Sequence, residues 1–592
     1  MLAFVKPSAR LTVALFLAAA LTNNAAAQNL DGFDAYVAQV MKDFKVPGIG
    51  IAVVQNGKII LAKGYGFRDV ENHLQLTTQT LFPIASITKS FTVTTLGMLI
   101  DEGKLDWDKP VRDYLPGFRM YDPVATDQLT PRDLVTHRSG LPRHDLLWYS
   151  SNFSRRELVE KLRYLEPNKP LRQTFHYNNL MFITAGYLSG ELDHSNWEAS
   201  VRQHVLLPLG MTSTVFNSVD ARKSPDFARP YRMNYKTEEV KKIEFADWGD
   251  VGPAGAINSN IDDLSRYLLF HLDKGKLDGK QLLSANNVAQ MQTPQMLIQG
   301  TPHYKELGEN GYGMGFFISS YRGHKMVEHG GNLDGFALNL SFLPNDGIGV
   351  VVLTNLDGTS VRDFLPYNVF DRLLAIDQPP WSARLLEEEK KGRESLTSAE
   401  KQGLTGQKPG TRYSHDLKDY YGEYSNVAYG RVTVAPAAAH GALTMTFNRL
   451  TRPIEHFHYD TFSVPADPLD DLEKLKLTFI TDLNGDVSSL SMPLESHVKP
   501  IVFDRAAEKR MFERTFLERF TGDYDVPGST LTIALRGENQ LILTHTGRPA
   551  LALQPKHGAT FDIESLPGQS VEFREKELVF YSPDGVSLFK KK

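Results

Sequence analysis

At 592 residues, 41% of them hydrophobic and 23% charged, the chain has material for roughly two to four domains with buried cores. Its formal net charge is only −5, and no basic run or patch marks a nucleic-acid partner. The complete lack of cysteine excludes disulfides, a thiol nucleophile, cysteine-ligated metals and an acylated N-terminal cysteine.

The N-terminus has the pattern of an export signal. Lys6 and Arg10 precede a short apolar run from Leu11 to Leu21, and Ala25, Ala26 and Ala27 supply small residues for cleavage before Gln28. Residues 1–27 are thus expected to be a signal peptide, which puts the mature chain in the periplasm or outside the cell. An uncleaved N-terminal anchor is the alternative. The apolar run is short for a bilayer span, and no other stretch approaches about 20 apolar residues, so no stable membrane anchor is expected after cleavage.

Residues 28–377 mix short strands with helices. Gly48 to Val54 and Ile59 to Gly64 form a predicted hairpin around Asn56-Gly57. Helical stretches follow, among them Ser86 to Glu102 and Ile261 to Leu272. Phe336 to Phe342 and Ile348 to Asn355 then read as two more strands. A sheet assembled from both ends of a domain with helices between them is an α+β or α/β arrangement. Residues 378–412, opening with Pro379-Pro380 and rich in Glu and Lys, read as a linker that can hold one solvated helix.

Beyond the linker lies an internal repeat. Leu417, Gly422, Glu423 and Tyr424 recur as Leu517, Gly522, Asp523 and Tyr524, all at one offset. Alternating strands follow in both copies, and Asn484-Gly485 and Asp584-Gly585 mark hairpin turns near their ends. Two small antiparallel β-barrels or sandwiches fit, over residues 413–508 and 509–592. Within the first, His456, His458 and Asp460 alternate and would share one face of a strand. With no fourth ligand apparent, packing or barrel closure is the expectation, and no metal site is assigned.

Three motifs could carry chemistry. Ser-x-x-Lys at a helix start sets a hydroxyl and an amine on one helical face, beside free backbone N–H groups. The pattern occurs at Ser86, Ser398, Ser496 and Ser587, but only Ser86-Ile87-Thr88-Lys89 opens an apolar-faced helix, with Phe91, Leu96 and Leu99 behind it. Tyr177-Asn178-Asn179 offers a phenol for proton relay and an amide for substrate, although Tyr424-Ser425-Asn426 shows that the pattern also arises in the C-terminal repeat. His329-Gly330-Gly331 follows the strand-like Lys325 to Glu328, and its glycines let a substrate backbone approach closely. No His-Glu-x-x-His and no Gly-x-Ser-x-Gly occurs, so zinc-peptidase and α/β-hydrolase readings lack their signatures.

In that order the three motifs resemble those of the β-lactamase-related serine hydrolases: class C β-lactamases, D-alanyl-D-alanine carboxypeptidases, D-aminopeptidases and related esterases. Surrounding stretches match as well, including Asp133 to Pro142, Pro208 to Met211, Ala254 to Ser259 and Gly311 to Gly315. The two C-terminal repeats resemble the lipocalin-like barrels appended to some D-aminopeptidase-type members. The resemblance implies an α/β sandwich of penicillin-binding-protein type and two-step acyl transfer. Ser86 would be the nucleophile, and Lys89 and Tyr177 would manage its proton. Asn179 would orient the substrate or tune Lys89. The oxyanion would rest on the amides of Ser86 and Asn332, beside His329, Gly330 and Gly331.

Histidine at 329 departs from the lysine usual in β-lactamases. Near its ordinary pKa it is mostly neutral at pH 7, which favours a peptidase or esterase over an efficient β-lactamase. Expected substrates are small esters or peptides, including peptides with D-residues. A penicillin-binding or scaffold protein with little turnover, and a true β-lactamase, are the alternatives. The chemistry needs side chains and water alone, so no cofactor is implied.

Overall fold

Ile49, Ile51 and Val53 point to one face of Gly48–Gln55 (β1) and Ala52 and Val54 to the other, and all are fully buried, so this strand runs through a sheet covered on both sides. The computed structural model describes residues 30–245, 251–377, 379–401, 406–437, 443–526, 528–545 and 547–592. The signal peptide expected over 1–27 lies outside them. Asn56 and Gly57, with φ of 49° and 75°, turn β1 into Lys58–Asp69 (β2).

The remaining strands of the sheet are Leu74–Gln75 (β3), Met296–Leu297 (β4), Gly311–Tyr312 (β5), Phe317–Tyr321 (β6), His324–Leu333 (β7), Phe336–Leu343 (β8) and Ile348–Thr354 (β9). They assemble in the order β4-β5-β6-β7-β8-β9-β1-β2-β3, every neighbouring pair antiparallel. The last strand of this sheet along the chain, β9, thus lies beside the first. This is the α+β core of the penicillin-binding-protein type that the sequence implied.

The helices that matter here are Phe33–Asp43 (α1), Thr88–Asp101 (α2), Asn179–Leu192 (α3), Ile261–Leu272 (α4), Val361–Leu373 (α5) and Trp381–Lys401 (α6). On one face of the sheet, Val37 and Val40 of α1 and Phe364 and Phe370 of α5 meet Ile49, Ile51 and Val350 in one apolar cluster. On the other, α4 lies so close that a Cβ on Gly50 would come within 2.7 Å of Ile261 and one on Gly349 within 2.7 Å of Leu268. Glycine at both positions lets the helix seat on the strands.

The sequence gives α2 an apolar face, yet it is buried all round from Thr88 to Leu99. Its hydroxyls are satisfied by backbone carbonyls: Thr92 donates to that of Pro253 at 2.8 Å, Thr95 to that of Phe91 at 3.0 Å, and Ser90 to that of Ile87 at 2.8 Å. Those bonds allow a helix rich in threonine to sit at the centre.

The segment read as a linker holds α6, and its start is not solvated. Trp381 is fully buried in the sheet cluster and its indole N–H donates to the Tyr321 hydroxyl at 3.2 Å. Burying such a ring contributes on the order of 3 kcal/mol, which ties the helix to the sheet. One compact unit accordingly comprises residues up to 406 with the short segment 467–471, and the other comprises 407–466 and 472–592.

In the second unit, eight strands from Gly422–Asn426 to Ile501–Arg505 form a closed antiparallel barrel, sealed where Tyr424 faces Arg505. Eight more, from Gly522–Val526 to Gly585–Lys591, do the same where Tyr524 faces Lys591. The repeat persists in detail: the Tyr424 hydroxyl donates to the Tyr420 carbonyl at 2.9 Å, and that of Tyr524 to the Phe520 carbonyl at 2.9 Å. Gly422 and Gly522 share φ of 147° and 133°, a backbone open to glycine alone.

His456, His458 and Asp460 do not share a strand face. A bulge interrupts the ladder between His456 and His458, and Asp460 lies in the turn beyond, accepting bonds from Ser414 and Tyr420. His456 Nε2 is engaged at 2.9 Å with the Tyr459 carbonyl.

Candidate active site

Ser86 lies in a single 3-10 turn, Ala85–Ile87, that leads directly into α2. Ala85 before it has φ of 46°, a left-handed conformation that costs a non-glycine residue about 1–2 kcal/mol. The turn is held from outside by β7. A Cβ added to Gly331 would come within 2.6 Å of the Ile84 carbonyl, so glycine is what permits this approach. Gly331→Ala should push strand and turn apart, lowering kcat/KM by about 100-fold, as a displacement near 1 Å can do, with a fall in melting temperature. Steady-state kinetics with a thermal melt checks both.

One helical turn after Ser86, Lys89 is fully buried. Its Nζ stands 3.0 Å from Ser86 Oγ and donates to the Ala254 carbonyl at 2.8 Å. Burial holds its pKa well below the ordinary lysine range, and the nearby Arg143 charge lowers it further against an opposing pull from Asp145. A lysine whose charged form is disfavoured, set beside a serine hydroxyl, is suited to accept its proton.

Tyr177 comes from the far side of the cleft. Asn178 caps α3, its side chain accepting from the Met181 N–H at 3.0 Å while its amide donates to the Pro142 carbonyl at 2.6 Å. The cap puts Tyr177 just ahead of the helix and Asn179 at its first residue. The Tyr177 ring lies 4.8 Å from Lys89 Nζ, and its hydroxyl is hydrogen-bonded to Ser86. Burial raises its pKa, offset in part by that bond and by Arg143, so the resting side chain is a neutral phenol. Asn179 Nδ2 donates to Asp145 Oδ1 at 3.0 Å; its Oδ1 is buried with no partner among the described residues.

His329 is buried among Tyr177, Tyr312 and Phe317. Its Nδ1 stands 2.7 Å from the Gly330 carbonyl, which requires a proton there, and Nε2 therefore accepts from the Tyr312 hydroxyl at 3.1 Å. Burial pushes its pKa down to about 3, so the imidazole is neutral and holds no charge for a substrate carboxylate.

The strand β7 continues through His329-Gly330-Gly331 to Leu333 rather than turning there. Leu333 and Phe336 close a two-residue hairpin onto β8, and in such a hairpin the closing pair exchanges both hydrogen bonds. The alternation then spends the Gly331 N–H on β8 and leaves that of Asn332 facing the free edge.

One cavity of about 600 Å³ is lined by Ser86, Tyr177, Asn179, His329, Gly330 and Asn332; Lys89 lies behind the wall and Gly331 packs against the turn. Three contributors escaped the sequence reading. His137 Nδ1 accepts from the Asn178 N–H at 3.0 Å and its ring lies 4.2 Å from that of Tyr177, so it fixes the phenol. Asp145 joins Arg143, at 2.5 Å, to Asn179. Arg362 at the start of α5 donates to the Gly331 carbonyl at 2.6 Å and Asn332 Oδ1 at 2.7 Å, bracing β7. Only His137 had a signal, as part of the stretch Asp133 to Pro142.

The family model described as Beta-lactamase matches residues 33–374, and one described as a domain of unknown function (DUF3471) matches 406–514. The unguisins hydrolase ungD' of Aspergillus campestris (strain IBT 28561) is 29% identical over 420 residues, 68% of this chain and 77% of that protein. Protein flp of Staphylococcus aureus (strain NCTC 8325 / PS 47) is 27% identical over 348 residues, covering 58% of this chain and 65% of its own. Among solved structures, the octameric penicillin-binding protein homologue from Pyrococcus abyssi superposes with a TM-score of 0.53 at 22% identity, over 80% of this chain and 99% of that one. That likeness concerns the fold.

Proposed function

We propose that this chain, which belongs to the beta-lactamase family of hydrolases, cleaves amide or ester bonds through an acyl-enzyme on Ser86. The observation that carries the reading is the fully buried Lys89 amine, 3.0 Å from Ser86 Oγ and with its charged form disfavoured by burial. Lys89 takes the hydroxyl proton as Oγ attacks the substrate carbonyl. The oxyanion is held by the backbone N–H groups of Ser86 and Asn332. Tyr177, a phenol bonded to Ser86, gives its proton to the departing nitrogen or oxygen and regains one from Lys89. Water then attacks the acyl-enzyme with the same groups reversed. Asn179 Oδ1, buried with no partner among the described residues, accepts an N–H of the substrate.

A neutral His329 speaks for peptides or small esters, including peptides with D-residues, over β-lactams. Export rests on Lys6, Arg10 and the apolar run of residues 11–21. The test is intact-protein mass spectrometry after a fluorophosphonate or a penicillin. One adduct on Ser86 of wild type, missing from Ser86→Ala, is the expected result. No adduct on folded wild type with either probe would overturn the acyl-enzyme in favour of a binding role.

A further inference from the structure

The catalytic cavity has a second region on the opposite face of β7. Side chains alternate along a strand, and the position of Gly331 faces Ile84 and the Ser86 turn, whereas that of Gly330 faces Arg362 of α5. Glu328 shares the Gly330 face. Gly330 has no side chain to close the passage, and a Cβ there would meet the Leu338 carbonyl at 3.6 Å and Arg362 at 3.7 Å. Glu328 and Asn339 both line the cavity.

This region is rich in acceptors and short of donors. Asn339 Nδ2 donates to Glu328 Oε2 at 3.2 Å, which aims Asn339 Oδ1 elsewhere; that oxygen is buried and has no partner among the described residues. Asn339 itself is 2% exposed. A buried carbonyl oxygen without a donor costs about 1–3 kcal/mol, which a ligand N–H would recover.

Charge points the same way. Five carboxylates line the cavity, those of Asp145, Glu328, Asp334, Asp363 and Asp471, against the guanidinium groups of Arg143 and Arg362. Arg143 is paired with Asp145 at 2.5 Å and Arg362 with Asp363 at 3.2 Å. Among the described residues Arg232 is the one cation paired with Asp357 at 2.6 Å, Asp471 at 2.7 Å and Asp334 at 3.4 Å, and the Tyr149 hydroxyl donates to Asp334 and Asp471 at 2.8 Å each. Glu328 has no cation within ion-pair distance among the described residues. Burial pushes its carboxyl up to about 7, and burial with the Asp471 charge pushes Asp334 up to about 6. Both acids are held in a state that a neighbouring cation would relieve.

Resting on the acyl-enzyme reading above, we infer that this site selects substrates bearing a primary ammonium group, bound by the Glu328 carboxylate and the Asn339 carbonyl beyond Gly330. An ammonium brings three donors, enough for the Asn339 oxygen and both Glu328 oxygens. The same chemistry is offered by a free α-amine or by a basic side chain.

Two matched pairs of p-nitroanilides separate these sources, each in D and L form. Alanine p-nitroanilide against its N-acetyl derivative tests the α-amine; N-acetyl-lysine against N-acetyl-norleucine p-nitroanilide tests the side chain. At least a tenfold higher kcat/KM for the ammonium member of one pair is expected. Glu328→Gln should erase the preference, and a thermal melt with the Ser86 adduct reports that the variant is folded. For the lysine pair, whose ammonium stays charged throughout, the preference should grow between pH 6 and 8 as Glu328 ionises in the field of Arg362 and Asp363, with Asn339 and Tyr367 beside it. Neutral substrates turned over through Ser86 with no ammonium preference in either pair, or a preference that survives Glu328→Gln, overturn the subsite alone. Loss of every turnover together with the Ser86 adduct overturns the acyl-enzyme reading and the subsite with it.

Discussion

Replacing Lys89 with methionine is expected to stop turnover while raising the melting temperature. The two side chains have similar length, and the site is apolar enough to accept a thioether: the amine lies 4.8 Å from the Tyr177 ring and 5.4 Å from that of Phe182. Without the amine, Ser86 has no base, and a loss of about 100- to 10,000-fold in kcat/KM follows. Stability moves the other way. The folded pKa of Lys89 is depressed, chiefly by burial, whereas an unfolded lysine titrates near 10.4. Between those two values the unfolded state binds the extra proton, so wild-type stability rises with pH across the window and is penalised at pH 7. Methionine carries no such penalty, although it leaves the Ala254 carbonyl without its donor at a cost of about 1 kcal/mol. The variant should be more stable by about 1–3 kcal/mol at pH 7, with the gap closing toward pH 10. Calorimetry across that range reads the stability and an ester assay reads the activity. A variant less stable at every pH would mean that the wild-type amine is charged.

Tyr177→Phe should divide substrates by their leaving groups. The phenylalanine ring keeps the contacts that hold Tyr177, with His137 at 4.2 Å and Arg143 at 4.9 Å, so the fold survives. What is lost is the proton delivered to the departing atom. An amine cannot leave an acyl centre unprotonated, whereas p-nitrophenolate can. The expected loss is about 100- to 10,000-fold on p-nitroanilides or peptides and under about tenfold on p-nitrophenyl esters. Equal losses on both would assign Tyr177 to the attack step instead of to departure. Parallel measurement of kcat/KM on the two substrate types decides it.

Much of this architecture was legible because local signals and packing agree. Asn56-Gly57 fixes the first hairpin, and the hydrophobic periods of residues 48–54 and 261–272 match β1 and α4. The offset that links Gly422-Glu423-Tyr424 to Gly522-Asp523-Tyr524 carried through to matched barrels, because each tyrosine closes the same bond to a residue four earlier. Ser86, Lys89 and Tyr177 were found as motifs, since the chemistry needs those residue types at those spacings. Their supports were not legible. Arg362 reaches β7 from a helix thirty residues on, and Asp145 meets Asn179 only after the chain has folded back, so no window of sequence contains either pair. The linker reading went astray at α6 because charge dominates its composition, while one residue, Trp381, sets its place. The strand reading of His456 to Asp460 missed a bulge, which leaves no mark on alternation.

The pairing of β1 with β9, Ile49 opposite Thr354, has a consequence for how the protein is made. A nascent chain that has produced β1 must wait for roughly three hundred further residues, about 15–60 s of synthesis at ordinary rates, before the central partner exists. Until then β1 has β2 on one edge and nothing on the other, and the apolar surfaces meant for the sheet have no platform. Contacts of such sequence separation make folding slow and late. The catalytic unit is therefore born as an all-or-none object. A ribosome stalled anywhere before Thr354 would leave a chain that proteases can digest, and release of a few dozen residues more would make it resistant.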